Sequence, residues 1–454
     1  MNVNFVYSDF ADNGNGIANL DKAYPQYQWW DSSNFFSSYL NDQENNFNYW
    51  DDKTKFNVVK HPLKSILNNP SDVYFYMISH AGLCYNELSE LPNLGMSSQI
   101  IKRLKTNKNF YLVYLQEHEA DSLSGLNTIV DKLNKLGIDN KTIIVNNNSR
   151  IDENLAEIKK IHNFDTKVRV YKINFLTWST FQVLAFENDD YKAYPFKWNE
   201  EKTGKFFMCR NKGGKPHRMG LLAFIRTNKN IEEHTNYSFI GTALYGDLIR
   251  KMTTFFTPEF ILDNAKEMFE LGSGFYKEDD YEAGRNWIDN RSGEFVHKGL
   301  APIYQVPELH EAFSNSYMNI VTESGFLSEE KVTHVSEKSF RPFYYYQYPM
   351  YLTSPHHVQQ LREYGFDVFD DIIDHSYDLI EDDGLRFKVF TSELIRIENI
   401  KEDFIKMYPD HKDRFYKNKE TFIKLANKVK IQDIEFFKGV INEYQSNINN
   451  TPII

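Results

Sequence analysis

The sequence predicts an α/β protein with two Rossmann-like domains facing a cleft, followed by a helical C-terminal tail. Three observations support this fold class. Strands that are apolar on both faces alternate with helical stretches over residues 1–195, a second strand–helix series follows, and the chain beyond about residue 397 is mainly helical. Strands of this kind, separated by helices, are typical of a parallel sheet covered on both sides.

The length of the chain requires more than one domain. At 454 residues it exceeds one ordinary hydrophobic core, so two or three domains are expected. We place the first domain at 1–195, the second at 196–397 with a polar insertion at about 242–300, and the tail at 398–454. The polar, turn-rich stretch 189–204 is the predicted linker between the first two.

The elements of the first domain follow from its apolar runs. Five predicted strands have the sequences NVNFVYSDF, DVYFYMISHAG, KNFYLVYLQE, KTIIVNNNS and KVRVYKINF. Between two of them, residues 124–137 place Ile129, Leu133 and Leu136 at helical spacing, which predicts a helix with one apolar face.

The second domain repeats the alternation. Its predicted strands are KFFMCRN, NYSFIG, SYMNIVTES and PMYLTS, and its predicted helices include MGLLAFIRTN and HHVQQLREYG. The stretch VSEKSFRPFYYYQYPMYL, 335–352, is typical of a helix start that passes into a buried strand. Ligands of such sheets bind beyond the carboxyl ends of the strands, so the cleft is where functional residues are expected.

Composition and charge argue against several classes of protein. The net charge of −11 disfavours a broad nucleic-acid surface, because binding to duplex DNA depends largely on neutralising phosphates. The sequence contains neither an apolar run of about 18 residues nor a signal-peptide pattern at its start, which predicts a cytoplasmic protein without a membrane span. Cys84 and Cys209 are far apart and lack neighbouring His or Cys at ligand spacing, so neither a disulfide framework nor a zinc site is expected.

The segment MCRNKGGKPHRMGLL, 208–222, concentrates positive charge between a strand and a helix. Its basic or potentially basic residues are Arg210, Lys212, Lys215, His217 and Arg218. Glycines allow backbone N–H groups to approach an anion, a helix N-terminus adds its dipole, and arginine grips two phosphate oxygens at once. The segment predicts a phosphate or diphosphate site, and the alternative is an exposed basic turn.

Two further features belong near the same kind of ligand. Gly14 and Gly16, in NGNGIAN after the first strand, form part of a G-x-G-x-x-G pattern, and the alternative is a structural turn. Glu337 and Lys338 open the predicted helix of the second domain. They are candidates for a ribose contact and a phosphate contact, or else a solvated helix N-terminus.

SYMNIVTES followed by VSEKSFRPF resembles the nucleotide-sugar half of GT-B glycosyltransferases. It is closest to the fucosyltransferase-like pattern, and is similar to glycosyltransferases of viruses and bacteria. The resemblance extends over roughly residues 205–397. It implies that Arg210, Arg218 and Lys338 bind the diphosphate and that Glu337 holds the ribose, with Glu323 as a second acceptor. Lys215 and His217 complete the predicted donor-binding set.

The implied activity is transfer of a hexosyl or pentosyl group from a UDP- or GDP-linked donor to a hydroxyl. The acceptor would be a glycan, a protein or a hydroxymethylated DNA base, in the host cytoplasm if the protein is viral. No Asp-x-Asp occurs in the sequence, so we expect no metal and no further cofactor. The alternatives are a non-catalytic nucleotide-sugar or phosphate-binding protein of the same fold, and a phosphorylase-like or epimerase-like enzyme.

An inverting transfer needs a general base for the acceptor hydroxyl. Glu117 and Glu119 follow the predicted strand YLVYL and are the first candidates. Asp9, after the first strand, comes next, and His80, after YFYMIS, is third. The alternative for the two glutamates is a helix N-terminus enriched in acidic residues, and a retaining mechanism would require no such base.

Overall fold

The computed structural model describes residues 2–7, 57–62, 72–79, 92–115, 123–146, 148, 150–172, 198–211, 215–240, 256, 259–264, 287–289 and 307–449. The chain divides into two compact units. The first comprises Met1–Trp178, Glu330–Val332 and Ala426–Ile454, and the second comprises Ser179–Glu329 and Thr333–Leu425. The domain boundaries predicted at residues 195 and 397 stay predictions.

In the described part of the first unit, six strands form one sheet in which every pair is parallel. They are β1 Asn2–Tyr7, β2 Asn57–Pro62, β3 Tyr74–Ser79, β4 Phe110–Leu115, β5 Thr142–Asn146 and β6 Arg169–Lys172, in the order β2-β1-β3-β4-β5-β6. All five strands predicted for this half are confirmed. The remaining strand of this sheet, β2, was not predicted.

Three described helices accompany this sheet: α1 Ser98–Thr106, α2 Leu123–Leu136 and α3 Ile151–Ile161. Helix α2 confirms the predicted helix at 124–137 and buries Leu126, Ile129, Val130 and Leu133. These side chains share one core with Tyr76 of β3 and other residues of the sheet. Parallel strands buried in this way need no polar face, which explains their continuous apolar sequences.

In the second unit the sheet order is β11-β10-β7-β8-β9. The strands are β7 Phe207–Arg210, β8 Thr235–Ile240, β9 Trp287–Asp289, β10 Met318–Thr322 and β11 Tyr348–Leu352. The described pairs are parallel except β8 with β9, which is antiparallel. The four predicted strands are confirmed, and β9 lies within the predicted insertion. The predicted α/β class with two Rossmann-like halves is therefore confirmed.

The described helices from residue 216 onward are α4 Pro216–Thr227, α5 Lys229–Glu233, α6 Pro307–Ser314, α7 Glu337–Tyr344, α8 His357–Glu363, α9 Asp383–Asn399, α10 Lys401–Met407 and α11 Lys412–Asn449. Helix α7 followed by β11 confirms the prediction for 335–352. The mainly helical chain after residue 398 is also confirmed. None of the described helices combines the length and the apolar character that a membrane span requires.

The core of the second unit joins its sheet to the C-terminal helices. Phe404, Tyr408 and Phe415 belong to one buried cluster with Tyr348 of β11 and Phe207 of β7. Fully burying a large apolar side chain contributes about 1.5–3 kcal/mol. Packing of the C-terminal helices against the sheet therefore stabilises the positions of β7, β10 and β11.

Candidate functional site

Two central strands of the second sheet bring the predicted residues to one edge. Strands β7 and β10 are parallel neighbours, with Phe207 opposite Met318. Their carboxyl ends therefore lie at the same edge of the sheet. Arg210 is the last residue of β7 and Glu323 directly follows β10.

The first turn of α4 is fastened to the end of β10 by three basic side chains. Arg218 Nη2 donates to the carbonyl of Thr322 over 3.1 Å, and His217 Nε2 bonds the carbonyl of Glu323 over 3.0 Å. Lys215 Nζ donates to the next carbonyl, that of Ser324, over 3.0 Å. Three consecutive main-chain oxygens thus accept from three residues of the predicted phosphate segment. The local fold brings Lys215, His217 and Arg218 together with Glu323.

His217 is a neutral donor in this arrangement. Its side chain is buried and stacks on Phe326, with ring centroids 4.9 Å apart. Burial, followed by the nearby charges of Arg218 and Lys215, holds the pKa of His217 well below the usual 6.5. Because its partner is a carbonyl oxygen, Nε2 carries the proton. Among the described residues of this segment, the positive charge therefore comes from Arg210, Lys215 and Arg218.

Arg210 reaches sideways to the next strand. Its guanidinium donates to Asn236 Oδ1 over 2.7 Å and to the carbonyl of Tyr237 over 3.4 Å, both on β8. The neighbouring thiol of Cys209 is buried, and burial raises its pKa to about 12. Cys209 is therefore an uncharged core residue beside a permanent cation.

The N-terminal turn of α7 completes the site. Ser336 is the N-cap of this helix, and its hydroxyl accepts from the main-chain N–H of Lys338. The carboxylate of Glu323 accepts from the N–H of Ser336 over 3.1 Å and from the Ser336 hydroxyl over 2.7 Å. Lys338 Nζ lies 3.9 Å from the same carboxylate, and its side chain is 29% exposed. Lys338 and Glu323, predicted from separate motifs, are neighbours.

The charge of this edge suits an anion. Basic side chains from β7, the start of α4 and the start of α7 lie at the carboxyl ends of β7 and β10: Arg210, Lys215, Arg218 and Lys338. The described carboxylate among them, Glu323, is buried and bonded to α7. Cations with N–H groups in several directions can neutralise a diphosphate from more than one side.

Several predicted residues lie outside the described part of the chain. They are Asp9, Gly14, Gly16, His80, Glu117, Glu119 and Lys212. Glu337 is the first residue of α7, but its side chain is outside the described set. Their predicted roles stay predictions.

Sequence reasoning missed four polar residues of the site: Ser336, Ser339, His357 and Asn211. Ser339 donates its hydroxyl proton to Glu323, and His357 Nε2 lies 3.0 Å from Ser339 Oγ. Asn211 Oδ1 accepts from the hydroxyl of Thr322 and so joins β7 to β10. Ser336 carried a readable signal, because serine directly before a helix is a typical N-cap. His357 and Asn211 carried none, since their partners are distant in sequence.

Comparisons with known proteins gave structural matches only. No protein-family model matches the chain, and a search of curated proteins found no match. Among solved structures, an α,α-trehalose-phosphate synthase (UDP-forming) from Burkholderia vietnamiensis matches with a TM-score of 0.42 and 10% identity, over 83% of this chain and 75% of that one. An α,α-trehalose 6-phosphate synthase from Burkholderia multivorans matches with a TM-score of 0.39 and 9% identity, over 83% of this chain and 73% of that one. The α,α-trehalose-phosphate synthase (UDP-forming) from Burkholderia xenovorans in complex with glucose-6-phosphate gives 0.39 and 8%, over 81% and 74%. Matches this distant say nothing about the function of the chain. The two-sheet fold is established by the strand order given above.

Proposed function

We propose that this protein is a glycosyltransferase that uses a nucleoside diphosphate sugar as donor. The observation that carries the proposal is the convergence of Lys215, Arg218 and Lys338 at the carboxyl ends of β7 and β10. In open α/β sheets this edge is the usual place for a ligand. The resemblance of the SEKSF segment to a nucleotide-sugar half supports the same conclusion, because it implies that Lys338 binds the diphosphate.

The chemistry asked of these residues is stabilisation of a leaving group. Breaking the bond between sugar and nucleotide leaves negative charge on the diphosphate. Fixed cations that already point at the developing charge lower the barrier without reorganising. Arg218 and Lys338 are suited to this task because Arg218 is held by Thr322 and Lys338 by the N-cap of α7. The transfer would proceed without a metal ion.

The acceptor is proposed to be a hydroxyl of a glycan, a protein or a hydroxymethylated DNA base. The net charge of −11 makes DNA the least favoured of these. Glu117, Glu119 and Asp9 remain the proposed candidates for the base that removes the acceptor proton.

The proposal is tested by incubating the full chain with a panel of UDP- and GDP-linked hexoses and pentoses. Release of the nucleoside diphosphate is measured with and without candidate acceptors. We expect release from one donor, slow in water and faster with the correct acceptor. Binding of a donor without any turnover would instead identify a non-catalytic binding protein, and release of free phosphate or an isomerised sugar would identify another enzyme class.

A further inference from the structure

The carboxylate of Glu323 is enclosed by donors from the first turn of α7. Its side chain is only 1% exposed. Oε1 accepts from the N–H and the hydroxyl of Ser336 and from the hydroxyl of Ser339. Oε2 lies 2.8 Å from Ser336 Oγ and 3.9 Å from Lys338 Nζ. Both oxygens of this carboxylate therefore accept hydrogen bonds from protein groups.

The hydrogen bonds around Glu323 have a consistent direction. Ser336 has one hydroxyl proton and gives it to Glu323, so its oxygen accepts from Lys338, whose Nζ lies 3.2 Å away. Ser339 likewise donates to Glu323, and its oxygen lies 3.0 Å from Nε2 of His357. Burial lowers the pKa of His357 and favours the neutral ring, which has a single N–H.

We infer that Glu323 is a positioning residue for the donor site, in place of the donor contact predicted for it. It fixes Ser336 and Ser339, and through Ser336 it holds the ammonium of Lys338 where the diphosphate binds. The inference rests on the proposed function, because it assigns how one residue of that site is oriented. A buried group held by several hydrogen bonds is suited to such a role, since its own conformation is fixed.

One electrostatic effect opposes this role. Removing a negative charge 3.9 Å from Lys338 would strengthen the attraction between that lysine and a diphosphate. The charge of Glu323 is, however, already compensated by three hydrogen-bond donors, the N-terminus of α7 and Lys338 itself. The electrostatic field that Glu323 still exerts at the ligand is therefore small. Loss of its carboxylate, in contrast, releases both Ser336 and Ser339. The loss of positioning therefore outweighs the gain in attraction.

The test is a double-mutant cycle on the full chain, with the dissociation constants of UDP and GDP measured by titration calorimetry. We expect Glu323→Gln to weaken binding of the preferred diphosphate about tenfold in the wild-type background. In the Lys338→Ala background the same change should have no further effect, because Glu323 acts through Lys338. A general disturbance of the fold would instead weaken binding in both backgrounds.

Glu393→Gln is the matched control. Glu393 is also a buried glutamate that accepts from a main-chain N–H, that of Asp374 over 2.9 Å, and it pairs with Arg396. Its substitution should leave diphosphate binding unchanged. Should Glu323→Gln fail to fold, Ser339→Ala tests the same network, with an expected three- to tenfold loss that vanishes in the Lys338→Ala background.

The possible results separate the two proposals. If the wild-type chain binds neither UDP nor GDP, the proposed function falls, and this inference with it. If the wild-type chain binds one of them but Glu323→Gln binds it equally well, or loses affinity equally in both backgrounds, only the positioning role is overturned.

Discussion

The Nε2–H of His217 donates a hydrogen bond to the main-chain carbonyl of Glu323 over 3.0 Å. This bond ties the first turn of α4 to the end of β10, two elements that are far apart in sequence. It needs only a neutral ring. The depressed pKa of His217, caused by burial and then by Arg218 and Lys215, keeps the ring in that form.

The pH dependence of stability should report this depressed pKa. Because the folded chain resists protonation of His217, the free energy of unfolding is at its full value above the ordinary pKa of 6.5. It falls as the pH drops from there towards the lower pKa of the folded ring. One such group contributes a slope of at most about 1.4 kcal/mol per pH unit.

His217→Gln retains an N–H donor but does not titrate, so we expect a shallower loss of melting temperature between pH 7.5 and pH 5.5. Burial also lowers the pKa of His357 and of His375. These two contribute equally to both proteins, and the difference in slope isolates His217. Parallel curves for the wild type and the variant would show that the neutral His217 bond does not govern acid stability.

Among the described arginines of the second unit, Arg386 is predicted to be the one whose substitution destabilises the fold most. It is fully buried, and all five of its N–H groups donate: its acceptors are Thr353 O, Ser328 Oγ, Ile380 O, Phe326 O and Asp383 Oδ1. Lysine has three donors in a different geometry, so Arg386→Lys removes at least two of these five hydrogen bonds. At about 1–3 kcal/mol for each, we expect a loss of about 2–6 kcal/mol.

Urea unfolding followed by circular dichroism measures this loss. Arg396→Lys is the control, because that side chain is 44% exposed, and its ion pair should contribute at most about 1 kcal/mol. Similar losses in the free energy of unfolding of the two variants would mean that the buried hydrogen bonds of Arg386 stabilise the fold no more than the exposed ion pair of Arg396.

Two glycines provide an opposed pair of predictions. A Cβ at Gly220 would lie 2.0 Å from Cζ of Phe256, whose ring is packed between Phe260 and Phe387. The ring cannot move aside freely, so Gly220→Ala should destabilise by about 1–3 kcal/mol. Gly439 lies inside α11, and no described atom beyond its chain neighbours and its own helix backbone lies within 4 Å of the same position. Gly439→Ala should therefore stabilise by about 0.5–1 kcal/mol.

Thermal unfolding of both alanine variants checks this pair. The melting temperature should fall for Gly220→Ala and rise for Gly439→Ala. A rise in both would indicate that the contact between α4 and Phe256 is loose enough to accept a methyl group.

The fold was predictable where the chain is buried on both sides. Strand β4, FYLVYL, and the centre of β5, Ile143–Val145, are runs of apolar residues because both faces of their sheet are covered. Strand β2, with the sequence NVVKHP, was missed because it is an edge strand. Edge strands tolerate lysine and proline, since one row of backbone groups needs no partner.

The candidate site was predictable in its location more than in its contacts. The basic segment, Glu323 and Lys338 lie together, as strand–loop–helix patterns at neighbouring strands imply. The sequence could not show the hydrogen bonds at the end of β10. There, the side chains of Lys215, His217 and Arg218 each donate to a main-chain carbonyl. A bond from a side chain to a distant main chain leaves no pattern in the composition or periodicity of either segment.

The most direct test of the central claim, an anion site at the joint carboxyl ends of β7 and β10, is titration calorimetry with UDP and GDP. We compare the wild type with Lys338→Ala, and use Lys229→Ala as control because that side chain is 76% exposed in a surface ion pair. A charge-assisted hydrogen bond is worth about 1.5–3 kcal/mol, so Lys338→Ala should weaken binding of the preferred diphosphate roughly 10- to 150-fold, and Lys229→Ala should leave it unchanged. Equal affinity in all three proteins, or no binding of either diphosphate to the wild type, would contradict the claim.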